Sequence, residues 1–215
     1  MRAKQQILDE ALALADEHGL GAISMRAVAR RMGLTSMALY PYVGTKDDLL
    51  DGLVGRLLAD LLPAQDTATA GWRERLRAVA RAARALASAH PGAYPLLMAR
   101  PSAAPDALRV VDLIYAALLD AGVPEPEVPR LERMLSTFVL GYATSEVNGR
   151  FAAGRSGAEA APAPHALPAH DRLSRWLGGE VDWDAEFEAD LRDLIHLVES
   201  AAKDRSHARG PRGNV

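Results

Sequence analysis

Apolar residues recur at helical spacing along nearly the whole chain, and this repetition limits what the sequence can build more than any single motif does. Ile7, Leu8, Ala11, Leu14 and Ala15 fall on one face of a first helix, which His18-Gly19 ends because glycine adopts positive φ readily. Ser24 caps a second, short helix whose inward residues are Met25, Val28 and Ala29, and Gly33 breaks it. Thr35 or Ser36 caps a third short helix holding Met37, Ala38, Leu39 and Tyr40, with Pro41 tolerated only within the first turn or so.

Thr45-Lys46-Asp47-Asp48 reads as a variant capping box, with Asp48 in place of Glu. It opens a longer helix striped by Leu49, Leu50, Leu53, Leu57 and Leu61 until Pro63 stops it. Residues 63–71 form a linker or turn. Beyond it Trp72, Leu76, Val79, Ala83 and Leu86 mark a helix ending at His90-Pro91. Later stripes are Leu108, Val111, Tyr115 and Leu118; then Val128, Leu131, Leu135, Phe138 and Tyr142; and finally Phe187, Leu191, Leu194, Ile195 and Val198. Alanine and leucine dominate while aromatic residues make up 5%, so propensity agrees with periodicity and the expected fold class is all-α. The expected organisation is an N-terminal three-helix domain over 1–62, its connecting helix starting at about 46, then a helical domain over 63–202. Within the second domain, Ala, Pro and Gly enrichment over 153–170 leaves too little apolar surface to repay ordering, which predicts a mobile loop. The tail over 203–215 is expected to be disordered.

Several chemistries are excluded. With no cysteine there is no disulfide, thiolate metal site or cysteine nucleophile. His18, His90, His165, His170, His196 and His207 show no metal-ligand spacing, so no metal and no cofactor is expected; His165 and His170 read as solvated loop residues. No stretch approaches the roughly 18 to 20 apolar residues of a membrane span, and the chain reads as soluble and cytoplasmic. Gly154-Arg155-Ser156-Gly157 lacks the strand that a nucleophile elbow needs, and no phosphate loop is present, so the chain is not expected to be an enzyme.

Charge is distributed unevenly. The net charge is -3, yet the 29 residues from His18 to Lys46 contain no Asp or Glu and carry Arg26, Arg30, Arg31 and Lys46. A helix, a glycine turn and a second short helix between Ser24 and Val43 form a helix-turn-helix arrangement, whose second helix can enter a DNA major groove. The absence of acids matters because a carboxylate aimed at the phosphate backbone would be repelled where each cation releases counterions. Thr35 and Ser36 offer hydroxyls to base edges or phosphate. Met37 and Ala38 offer apolar contacts to thymine methyls, and Tyr40 and Tyr42 offer phosphate donors. Arg26 and Lys46 complete the candidate DNA-binding set; a lysine at the positive end of a helix makes sense opposite a phosphate. By contrast, Arg73, Arg75, Arg77, Arg81 and Arg84 read as a solvated helix face.

The segment AISMRAVARRMGLTSMALYPYVGTKDDLLDGL resembles the DNA-binding signature of the TetR family of repressors. The matching features are Ala27-Val28-Ala29, Gly33, Leu39-Tyr40, Tyr42 and Lys46. Pro41 departs from it, standing where an aromatic residue is common. The resemblance implies that Tyr40, Tyr42 and Lys46 hold phosphates and that Thr35, Ser36, Met37 and Ala38 face bases. Beyond this unit, Trp72 to Leu76, His90-Pro91, Arg100-Pro101, Ala121-Gly122 and Phe138 to Tyr142 are similar to the ligand-binding, dimerising domain of the tetracycline-repressor branch.

It further implies a homodimer built from the last two long helices, about Val128 to Phe151 and Asp184 to Ala202. Candidate interface residues are Phe138, Phe187, Leu191, Leu194 and Val198, whose apolar stripe must be covered. The implied function is a repressor of a palindromic double-stranded DNA operator, released when a small-molecule effector binds the C-terminal domain. Candidate effector-lining residues are Tyr94, Met98, Tyr115, Met134, Phe138 and Tyr142. The alternatives are an architectural or nonspecific DNA-binding protein, or an all-helical small-molecule carrier or enzyme.

Overall fold

The computed structural model of the chain describes residues 2–62, 70–100, 105–150, 167–177 and 181–208. Among the described residues all regular structure is helical: α1 (Arg2–His18), α2 (Met25–Arg31), α3 (Tyr40–Val43), α4 (Lys46–Ala59), α5 (Trp72–Ala89), α6 (Leu96–Ala99), α7 (Pro105–Asp120), α8 (Val128–Val147), α9 (Pro168–Leu177) and α10 (Trp183–Ala208). Residues 153–166 of the expected loop, His165 included, and residues 209–215 of the expected tail lie outside the described residues. At the margins of both segments the expectation is corrected. Residues 168–170 open α9, and α10 runs past 203 to Ala208.

The N-terminal helices bury the residues that their spacing points inward: Ile7, Leu8, Ala11, Leu14 and Ala15 on α1, and Met25, Val28 and Ala29 on α2. In the second half α5, α7, α8 and α10 pack around Val79, Ala83, Val110, Ile114, Leu131, Leu135, Phe187 and Leu191. These two sets belong to one continuous apolar core with no gap between the halves. Two stripes turn out differently from the spacing. On α7 the inner face is Ala107, Val110, Ile114, Ala117 and Leu118, leaving Leu108 60% exposed. That helix is apolar almost all round, so period alone does not choose its face. On α8 the second half buries Val139 and Ala143, with Phe138 and Tyr142 half-buried beside them.

The junction between the halves is held at close range. Gly92, in the turn after α5, lies so near α1 that a Cβ there would meet the Ala15 carbonyl oxygen at 2.0 Å. Beside it His90 Nδ1 and Asp16 Oδ2 are 2.7 Å apart. Only a residue without a side chain permits this backbone approach. Gly92→Ala is therefore expected to lower unfolding stability by about 1–3 kcal/mol through forced separation of α1 from the turn, measurable by chemical denaturation.

Candidate nucleic-acid interface and internal cavity

The start of the basic segment is set by Ser24, whose hydroxyl oxygen accepts the Ala27 N–H at 3.1 Å and caps α2. Gly33 ends that helix with φ +69°, and the Leu34 N–H donates to the Ala29 carbonyl at 2.8 Å while the Gly33 N–H donates to that of Arg30 at 3.2 Å. This paired closure satisfies two orphan carbonyls and turns the chain sharply. The reading segment follows as a 3₁₀ turn, Ser36–Ala38, continuing into α3, with Pro41 in its first turn where no N–H is required. The expected hydroxyl cap does not form: Thr35 stands at the cap position with extended backbone and its side chain makes no capping bond.

Buried Leu39 and Val43 anchor this segment to the core. Its other side chains point outward, with Thr35 exposed, Met37 73% exposed, Tyr40 and Tyr42 about half exposed, and Ser36 and Ala38 half-buried. A methionine so displayed in water gains only when something covers it. Arg26, Arg30 and Lys46 are exposed and, among the described residues, take part in no ion pair. Arg31 is different. It donates to Glu10 at 3.1 Å and to Glu17 at 2.9 Å, and that bond holds the Glu17 carboxyl below its ordinary range. The patch therefore offers three cations where the sequence counted four.

The helix that carries Lys46 starts with a complete capping box. Thr45 Oγ1 accepts the Asp48 N–H at 3.2 Å, while Asp48 Oδ2 accepts the Thr45 N–H at 2.8 Å and its hydroxyl at 2.7 Å. These bonds to the ionised form lower the Asp48 pKa.

Where α4 meets the second half lies a cavity of about 730 Å³. Its wall is mostly aliphatic: Val54 and Leu58 of α4, Val110 and Ile114 of α7, Leu135 of α8 and Leu191 of α10. Polar groups at its surface are Arg77, Arg100, Glu132, Arg133, Ser136 and Thr137. Arg100 also reaches the start of α4, donating to Asp51 at 2.9 Å and to Asp47 at 3.1 Å. Arg100 thus borders the cavity and also binds two carboxylates in the first turns of α4, one of them next to Lys46.

Comparison with known proteins gives this geometry a lineage. Residues 7–53 match the model described as bacterial regulatory proteins, tetR family, and residues 76–163 match the tetracyclin repressor-like C-terminal domain. An HTH-type transcriptional regulator of Saccharopolyspora erythraea is 30% identical over 198 residues, covering 89% of this chain and 82% of that protein. The chain belongs to the TetR family. The HTH-type transcriptional repressor DrrR1 of Streptomyces coeruleorubidus is 32% identical over 152 residues, 71% of this chain, and the match spans 56% of its own length. In structure, the Streptomyces coelicolor TetR family protein ActR, solved in complex with actinorhodin, superposes with a TM-score of 0.74 at 25% identity over 93% of this chain and 97% of that one.

In this TetR-family chain the six expected effector residues do not converge. Met98 alone lines the cavity. Tyr94 is fully buried in the core, its hydroxyl has no partner among the described residues, and burial pushes its pKa up. Tyr115 and Met134 pack against the core away from the cavity, and Phe138 and Tyr142 line a separate, smaller groove with Trp183. The expectation favoured aromatic residues, whereas the cavity is walled by aliphatic side chains that share their spacing with ordinary core. The interface set is also corrected: Phe187, Leu191 and Val198 are covered inside a single chain, leaving Phe138 and Leu194 partly open.

The arginines of α5 are more than a solvated face: Arg73 and Arg81 stay exposed, yet four of the five pair with carboxylates of other helices. Arg73 pairs with Glu199, Arg81 with Glu188, Arg84 with Glu146 and Asp184, and Arg75 with Asp120, tying α5 to α7, α8 and α10. Among the described residues no helix is long and apolar enough to cross a membrane, and no group of three metal-binding side chains occurs.

The cap yields a test. Thr45→Ala is expected to cost about 1 kcal/mol of stability, seen as a lower thermal midpoint. Because folding lowers the Asp48 pKa below its ordinary value of 3.8, the carboxylate's contribution is complete above that pH and is lost as pH falls through the lowered value. The start of α4 should lose amide protection in that acid range, and Asp48→Asn should remove the dependence; equal protection at both ends of the range would contradict the assignment.

Proposed function

We propose that the chain is a homodimeric repressor, with no catalytic role, that holds a palindromic operator through Arg26, Thr35, Ser36, Met37, Ala38, Tyr40, Tyr42 and Lys46 and is released by a small molecule entering the cavity. It acts in the cytoplasm, where the DNA is. Two reading segments related by a two-fold axis would meet half-sites about 34 Å apart, one duplex turn. The partly open side of α8 around Phe138 is the surface left for the second copy. The relative named as a repressor and the one solved with actinorhodin support the two halves of this reading.

The observation that carries it is Arg100. Its side chain borders the cavity while its guanidinium binds Asp47 and Asp51, on either side of the Asp48 cap and next to Lys46. A guest that moves the segment from Leu97 to Arg100 loosens this tie, tilts α4 and shifts the reading segment off its half-site spacing. A ligand acts this way only through different affinities for the two arrangements. Coupling of about 1–3 kcal/mol would change operator affinity by about 5- to 150-fold.

Footprinting and titration on the DNA upstream of its own gene test the reading. Lys46→Ala should weaken binding to all sequences alike and reduce the slope against salt by about one unit, while Met37→Ala should change base preference. An unchanged slope removes the lysine contact. Displacement by random-sequence DNA as efficient as by the upstream region removes specific repression. Arg100→Ala touches no proposed DNA contact, yet should lower operator affinity about fivefold or more by freeing α4, as read by the same titration.

A further inference from the structure

Glu132 is the sole charged residue that is buried among the described ones, at 7% exposure. It sits on the inner side of α8 between Leu131 and Leu135 and borders the cavity. One carboxylate oxygen, Oε1, accepts the Ser136 hydroxyl at 2.7 Å, a turn further along the same helix. Among the described residues no Arg, Lys or His nitrogen comes within 4.0 Å of it, whereas Glu146, Glu188 and Glu199 in the same half each pair with an arginine of α5. A carboxylate has room for about four hydrogen bonds. The Ser136 hydroxyl fills one of these places.

The cavity's own cations are disposed elsewhere. Arg100 is committed to Asp47 and Asp51, Arg77 leans towards Glu74 at 3.8 Å, and Arg133 is exposed. Of the four charged residues that line the cavity, Glu132 alone is buried. Its volume of about 730 Å³ is that of a site for a drug-sized molecule.

The geometry points to a chemical class of effector: a bulky, mainly apolar molecule carrying a protonated amine, with the ammonium on Glu132 and the hydrocarbon body against Val110, Ile114 and Leu191. Ser136 orients the carboxylate, leaving Oε2 for the guest. An anionic guest is rejected because like charges would meet in a low-dielectric site. This inference rests on the cavity being the effector site.

Three polycyclic probes separate the two claims. Imipramine is a tricyclic ammonium, carbamazepine shares the tricyclic framework but is neutral, and anilinonaphthalene sulfonate is an anion. Each is titrated into the full-length protein by isothermal calorimetry. Wild type should bind imipramine about tenfold tighter than carbamazepine, with the sulfonate weakest, since a charge-assisted bond in a desolvated site is worth a factor of this order. Glu132→Gln should abolish the ammonium preference and leave carbamazepine affinity unchanged. Equal affinity for all three, a preference for the sulfonate, or an ammonium preference that survives in Glu132→Gln would overturn the assignment. The wild-type series decides it even if the variant does not fold. Carbamazepine binding without an amine preference sinks this inference alone; binding of none of the three removes the effector-cavity reading as well.

Discussion

α4 belongs to two packing systems at once, and the rest of the structure depends on that shared membership. Gly52 brings its backbone so near α1 that a Cβ there would meet Leu8 at 2.8 Å, while Val54 and Leu58, further along the same helix, wall the cavity. A rigid helix packed on α1 at one side and walling the cavity at the other cannot shift at one without registering at the other, because packed cores rearrange in discrete steps instead of deforming smoothly. Gly92 against α1 and Arg100 against Asp47 and Asp51 add two further points of contact between the halves. What looks in the sequence like a linker between domains is spanned in space by one continuous core.

Much of the N-terminal unit was legible in the sequence because its signals are local. Ser24, Gly33 and the Thr45 to Asp48 box act on backbone groups within a few residues, and each does in the structure what its chemistry allows. The exception, Thr35, is instructive: a short 3₁₀ turn leaves fewer orphan amides to cap, and its side chain makes no capping bond. The burial of α7 and α8 was less legible, since a helix apolar on several sides does not declare which side faces inward until its neighbours are in place. The cavity was illegible for the same reason. Leu58, Val110 and Leu191 have the spacing of core residues, and only their failure to meet one another across the interior makes them a wall.

Charge was the least readable property. The run of arginines on α5 and the carboxylates that answer it are separated by 45 to 126 positions, beyond any local pattern. With those partners in place, the arginines act as interhelical ties whose side chains also lie over aromatic faces, as Arg84 does over Phe187 at 5.0 Å. Among the charges that this pairing leaves out, two sets bear on function. The exposed cations around the reading segment and the buried Glu132 lack an opposite charge within the described chain, at an outer surface and an inner one respectively. Both ask for a partner from outside, a polyanion in the first case and a cation in the second.

The size of the cavity bears on how a guest could supply enough free energy to move α4. Closed cavities in a core cost stability in proportion to their volume, so an aliphatic space of this size is not kept both dry and shut. The space therefore has to open to solvent or be filled. Water is a poor filler, because it needs two to four polar partners and the wall offers them at few places. An apolar guest recovers the missing dispersion contacts and releases that water, so its binding energy is available at the wall shared with α4. Coupling then requires only that part of this binding energy differ between the two arrangements of α4.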